Sequence, residues 1–279
     1  MIKGRPASIV HTIPADSIVS VQKGVPMLKH KATGTLTAFP APDAAGMAWL
    51  EQYAAAQAEK AAKKASKVPP PYDDPHNFPS QAVWNLSSAL QAMGCLIYGP
   101  APAPVQNDSN ILYWWIGVLS TENYLLQPVL QAINSTAWTM QSYLVDSSGV
   151  LYTSETSDAL PQGTIINAQI LNNENGSYTS QFANASTGVV YPKTVLNVEY
   201  DFGTDPTVEA VFEVYAPQTD YFPTSLTFEW VAVETNGGVW PTPNWAIYET
   251  PYVSTMAIST PAPPNNLHNR RNIVVTNTP

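Results

Sequence analysis

The chemistry open to this chain is bounded by residues it lacks. Histidine occurs only at positions 11, 30, 76 and 268, so residues 77–267 contain none, and Cys95 is the single cysteine. A Ser-His-Asp or Cys-His site needs an imidazole to shuttle the proton, and the usual zinc and non-haem iron sites need His or Cys ligands. Within that stretch, chemistry falls to carboxylates, amides, hydroxyls and backbone groups, with no cofactor expected. Two carboxylate arrangements stand out. In EAVFEVY, alternation puts Glu209, Val211, Glu213 and Tyr215 on one strand face and Ala210, Phe212 and Val214 on the other. Glu209 and Glu213 are then about 13 Å apart along the strand, too wide for a glycosidase pair, which needs roughly 5–9.5 Å. Glu199 and Asp201 stand at i and i+2, inside the inverting window. Gln127 sits in the apolar run LLQPVL, where a buried amide must find partners or face a cleft. Tyr113, Trp114 and Trp115 in succession put aromatic rings on both faces of another strand, one for the core and one for a groove.

The elements that must hold these residues are strands. Beyond residue 80, short β-prone runs are separated by turn residues such as DSSG, NNENGS, FGTDP and TNGG. Strands are expected over 110–119, 124–133, 137–145, 150–153, 164–171, 188–191, 194–202, 207–215, 225–234 and 245–249, with a short helical turn near 86–93. About ten strands without intervening helices predict an all-β fold, an antiparallel β-sandwich of jelly-roll or concanavalin-like type spanning 80–259. Residues 43–67, alanine-rich with four lysines crowding the C-terminal end, predict a helix. VPPPYDDPHNFP at 68–79 reads as a linker, and 260–279 as an irregular tail.

Charge divides the chain in the same places. Residues 1–67 carry nine cations and four acids, a net +5; residues 68–269 carry seventeen acids and Lys193 alone, a net −16. The body has no cationic cluster for nucleic acid, and no run of eighteen apolar residues spans a membrane. The +5 segment is expected to be an arm or pro-segment that packs on the acidic body and loosens as carboxylates protonate. MIKGRPASIVHTIP lacks the apolar core of a signal peptide. A monomer in a secreted or acidic setting is expected.

The run WIGVLSTENYLLQPV resembles the Trp-x-Gly…Leu-Gln segment of the glutamic peptidases (eqolisins), acid-acting β-sandwich proteases with a Gln/Glu dyad. AWTMQSYL is similar to that family's Trp/Tyr-rich strand, and EAVFEVY to its Glu-x-x-x-Glu strand. The chain has Leu119, and Met140 or Gln141, where the family carries acids. The resemblance implies Gln127 and Glu213 as catalytic residues. It implies Trp115, Trp138, Tyr143 and Glu209 as substrate-binding residues, and a polypeptide as substrate. In such a dyad the carboxylate takes a proton from the attacking water and the amide donates to the oxyanion. An acid endopeptidase is the leading expectation. A non-catalytic module binding carbohydrate or peptide, and a glycosidase using Glu199 and Asp201, are the alternatives.

Overall fold

The computed structural model describes residues 5–65, 80–98, 111–133, 137–161, 163–215, 225–248, 256–263 and 267–277. The expected linker at 68–79 lies outside them. Two sheets form a β-sandwich. The first runs β1 (Val10–Thr12), β10 (Leu151–Thr153), β9 (Thr139–Val145), β8 (Leu125–Ile133), β7 (Ile111–Leu119), β14 (Thr207–Tyr215), β5 (Ser80–Asn85) and β16 (Ala246–Tyr248). The second begins with β17 (Met256–Ser259), β18 (Arg271–Asn277), β15 (Ser225–Thr235) and β6 (Leu90–Tyr98). It continues through β11 (Ile165–Asn172), β12 (Ser177–Asn184), β13 (Leu196–Glu199), β2 (Ser17–Gln22), β3 (Val25–His30) and β4 (Leu36–Ala38). Pairing is antiparallel except for β1 with β10 and β2 with β13.

Period-2 alternation builds the sandwich. On β7, Leu112, Trp114, Ile116 and Val118 point inward, and on β14, Val208, Ala210 and Phe212 do the same. They meet Met93, Cys95 and Ile97 of β6 and Phe228 of β15. Trp114 packs edge-on against Phe228 at 5.4 Å, tying the two sheets together. Each such buried side chain contributes about 1.5–3 kcal/mol through the water it releases.

Several elements depart from the sequence expectation. Residues 90–98 form β6 rather than part of a helical turn, because Leu90, Met93, Cys95 and Ile97 all enter the core. The run expected at 188–191 makes only an isolated bridge, Ala183 to Val190. The N-terminal segment is woven into both sheets: β1 joins β10, the β2–β4 meander extends the second sheet, and Ile9 and Val19 are fully buried. The tail also contributes, since the β-branched run IVVT lets β18 pair with β15.

The helix α1 (Ala44–Ala65) begins at Asp43, whose Oδ1 accepts from Gly46 N at 2.8 Å and from the Ser8 hydroxyl at 2.6 Å. A Cβ on Gly46 would come within 2.5 Å of Ser8 Oγ, so glycine there permits the close seating of the helix. One turn on, Trp49 and Tyr53 stack at 5.2 Å and cover Gly149. Met47 is 48% exposed, and it is Trp49 that packs against the core. No helix among the described residues is long and apolar enough to cross a membrane.

Candidate functional site

The outward face of the first sheet does not look like an ordinary wet surface. Tyr113, Trp115, Val129, Tyr143, Val145, Leu151 and Val211 all point away from the inter-sheet core yet are buried, forming a second apolar cluster. Above it lies a cavity of about 140 Å³ lined by side chains that include Arg5, Tyr53, Trp115, Leu125, Gln127 and Glu213. Strand parity puts Gln127 and Glu213 there. Their neighbours Leu126 and Phe212 are locked into the core, so the intervening positions must face outward.

Trp115 organises the floor. Its Nε1–H donates to Glu213 Oε2 at 3.4 Å. The opposite end of the indole lies over Gly117, where a Cβ would stand 2.8 Å from Trp115 Cζ3 and 3.0 Å from Leu125 Cδ1. Glycine leaves room for the ring. The β7–β8 register, Trp115 opposite Val129 and Val118 opposite Leu126, puts Gln127 opposite Gly117, while β14 sets Glu209 opposite the same glycine. Gln127, Gly117 and Glu209 thus form one row. Gln131, Tyr113 and Glu213 form another, four residues along. Gln127 and Glu213 are therefore diagonal, with Cα atoms about 16 Å apart by strand geometry, and face each other across the cavity rather than touching.

The polar groups differ in how they are satisfied. Gln127 Oε1 is shielded from solvent and has no hydrogen-bond partner among the described residues. An amide acceptor in that state costs about 1–3 kcal/mol. Gln131 and Gln141, by contrast, belong to a closed network. The Tyr143 hydroxyl donates to Gln131 Oε1, Gln131 Nε2 donates to Gln141 Oε1 at 3.3 Å, and Gln141 Nε2 donates to Ser154 O at 2.7 Å. Gln141, one of the two residues standing where the resembled family has an acid, is thus bound into the sheet. Burial pushes the Tyr143 phenol well up, so it stays protonated and serves as a donor. Glu209 shares the outward face. Loss of water around it, with the Glu213 charge adding, lifts its carboxyl to about 7. In the acid range Glu209 is neutral.

Of the other residues expected in the site, Trp138 packs in the inter-sheet core, not on the cavity wall. It shares parity with Met140 and Leu144, the inward residues of β9. Glu199 pairs with Lys29 at 2.5 Å and accepts from Ser20, and Asp201 caps a turn by accepting from Gly203 N. Neither carboxylate lines the cavity. Sequence reading did not anticipate Arg5 or Tyr53. Arg5 lies over Trp49 at 5.0 Å and reaches the same cavity as Gln127 and Glu213. No local signal marks either residue: Tyr53 arrives with the docked α1, and Arg5 with the chain that precedes β1, where it lies over Trp49 of that helix. Among the described residues, no group of three or more His, Cys, Asp or Glu side chains is placed to hold a metal ion.

Neither a protein-family model nor a curated protein matches the chain. Among solved structures, it is similar to Scytalido-glutamic peptidase bound to a peptide-based transition-state analog. Identity is 11%, coverage is 72% of this chain and 98% of that one, and the TM-score is 0.46. The figures are the same for SCP-B, a member of the eqolisin family of peptidases in complex with the tripeptide Ala-Ile-His. The apo Crh5 transglycosylase matches at 10% identity over 73% of this chain and 72% of its own, with a TM-score of 0.33. The likeness is distant and carries nothing about residues or activity.

Proposed function

We propose that the chain is an acid-acting endopeptidase that hydrolyses peptide bonds with Glu213, Gln127 and a water. The observation that carries this reading is the sharing of one cavity by a carboxylate and an unpartnered amide acceptor. Glu213, oriented by the Trp115 N–H, takes a proton from the water as it attacks the scissile carbonyl, and returns that proton to the leaving amine. Gln127 Nε2 donates to the oxyanion from the facing side of the cavity, and its unpartnered Oε1 accepts from a backbone N–H of the bound peptide. Glu209, protonated in acid, acts as a neutral donor for the bound peptide. The working range is set by Glu213, which must alternate between base and acid, and this favours acidic medium.

The cavity of about 140 Å³ is smaller than the roughly 300 Å³ at which ligand pockets begin. Arg5 and Tyr53 account for the closure, since both stand in its lining. In this reading Arg5 and α1 are a cover over the cleft, and their displacement admits a polypeptide. The setting proposed is secreted and acidic, with the covered form as a zymogen.

Digestion of casein across pH 2–5 by the full chain, with Glu213→Gln as control, tests this reading. Cleavage that the substitution abolishes is the expected result. Cleavage unaffected by it, or absent after the cover has been opened by Arg5→Ala, would overturn it.

A further inference from the structure

The outward face of the second sheet carries a different surface, and we propose that it is a binding trough for a neutral polysaccharide, independent of the peptidase reading. The trough, about 370 Å³, crosses β15, β6 and β11, with Trp230 and Trp240 in its walls. Its floor is low because Ala232 of β15 stands opposite Gly94 of β6, with Ala92 alongside. The same row continues to Gln169 of β11 and Gln181 of β12, whose Nε2 donates to Gln169 Oε1 at 2.9 Å. Four strands at about 4.8 Å spacing make a row of about 14 Å, long enough for several sugar rings.

Trp230 is held outward against two penalties. It is 45% exposed, and its backbone is in the left-handed region at φ +54, unusual for a bulky side chain. The β15 register shifts at this residue, and Asn272 Oδ1 accepts from its N–H at 3.0 Å to fix the bulge. Backbone strain of this kind persists where the surroundings enforce it, commonly at ligand sites. The second indole is also braced: Trp240 lies 4.4 Å from the His268 ring, and its carbonyl accepts from Asn269 Nδ2 at 2.6 Å.

The chemistry fits pyranose rings. Indole faces pack on the apolar C–H faces of sugars, and primary amides such as Asn167 and Gln169 pair with adjacent hydroxyls. Arg270, the one charged residue in the lining, is seated over Trp230 at 5.5 Å, while Glu229 and Glu234 lie on the same strand. With its one cation already seated over an indole and the remaining lining made of amides and apolar groups, the trough suits an uncharged chain.

Native gel electrophoresis of the full chain, in gels holding separately a β-1,3-glucan, a xylan, a mannan or starch, tests the proposal. Retardation by at least one is expected, unchanged by added salt, with affinity about tenfold lower for Trp230→Ala and for Gln169→Ala. Glu213→Gln, on the other sheet, should be retarded like the parent. Near-UV circular dichroism checks each variant, and if Trp230→Ala is misfolded the Gln169→Ala gel decides. Retardation by none of the four, retardation that salt abolishes, or equal retardation of the folded variants would overturn the proposal.

Discussion

Trp115 and Glu213 are joined diagonally across β7 and β14, with the indole Nε1 3.4 Å from Glu213 Oε2 while the far edge of the same ring rests over Gly117. One side chain thereby aims the carboxylate and fills the space between Gln127 and Glu209. The aim depends on the missing Cβ of Gly117.

Gly117→Ala brings a methyl group to 2.8 Å from Trp115 Cζ3 and must tilt the indole away from Glu213. Overpacking of this kind costs about 1–3 kcal/mol. Urea unfolding should show that loss, and cleavage at acid pH should fall further than the stability change accounts for.

Glu209 makes stability depend on pH. Its folded-state pKa of about 7 lies above the ordinary 4.5, so the native chain holds a proton that the unfolded chain has released. Stability should fall as pH rises from about 4.5 to about 7, by up to roughly 3 kcal/mol, and level off above. Glu209→Gln removes the ionisation. Its urea midpoint should vary less across that window and exceed the parent's near neutral pH.

The division between legible and hidden features follows strand parity. β7, β8 and β14 alternate cleanly, so both the strands and the outward placing of Gln127, Glu209 and Glu213 could be read from residue types. The same parity carried through β9 assigns Trp138 to the core beside Met140, and there the motif was a poorer guide than the alternation. β6 was obscured because Ala92 and Gly94 on its outward face are small rather than polar. β12, SYTSQFAN, buries Ser177, Thr179 and Ser180, so its burial does not follow apolarity. In the N-terminal segment SIVSVQ reads as a β-like run and forms β2, which seats Val19 fully in the core; its pairing with β13, far along the chain, is a tertiary outcome that no local pattern carries. Arg5 and Tyr53 reach the cavity through tertiary docking alone.

That docking can be loosened without touching the catalytic groups. Gly149 has φ +95, and a Cβ there would meet Tyr53 Cδ1 at 2.6 Å. Gly149→Ala, Tyr53→Ala and Arg5→Ala should each raise the initial rate of casein cleavage several-fold. They should also quicken proteolytic nicking near α1, read by intact mass after brief exposure to a second protease.

Gln127→Ala separates catalysis from stability. Its Oε1 has no protein partner among the described residues, so removing the amide should leave the unfolding free energy from urea titration unchanged or raised by about 1–3 kcal/mol. Loss of an oxyanion donor should lower kcat by about 10²–10³. Steady-state kinetics beside unfolding curves would show the two effects moving in opposite directions.

The central claim is that Glu213 activates a water to cut peptide bonds, and isotope transfer tests it most directly. Casein digested near pH 4 in H₂¹⁸O by the Arg5→Ala chain should yield new peptides whose C-terminal carboxylates carry one heavy oxygen. The same chain with Glu213→Gln should yield none. New termini formed at an equal rate by the Glu213→Gln chain, or no new termini from the parent or Arg5→Ala chain anywhere between pH 2 and 5, would contradict the account.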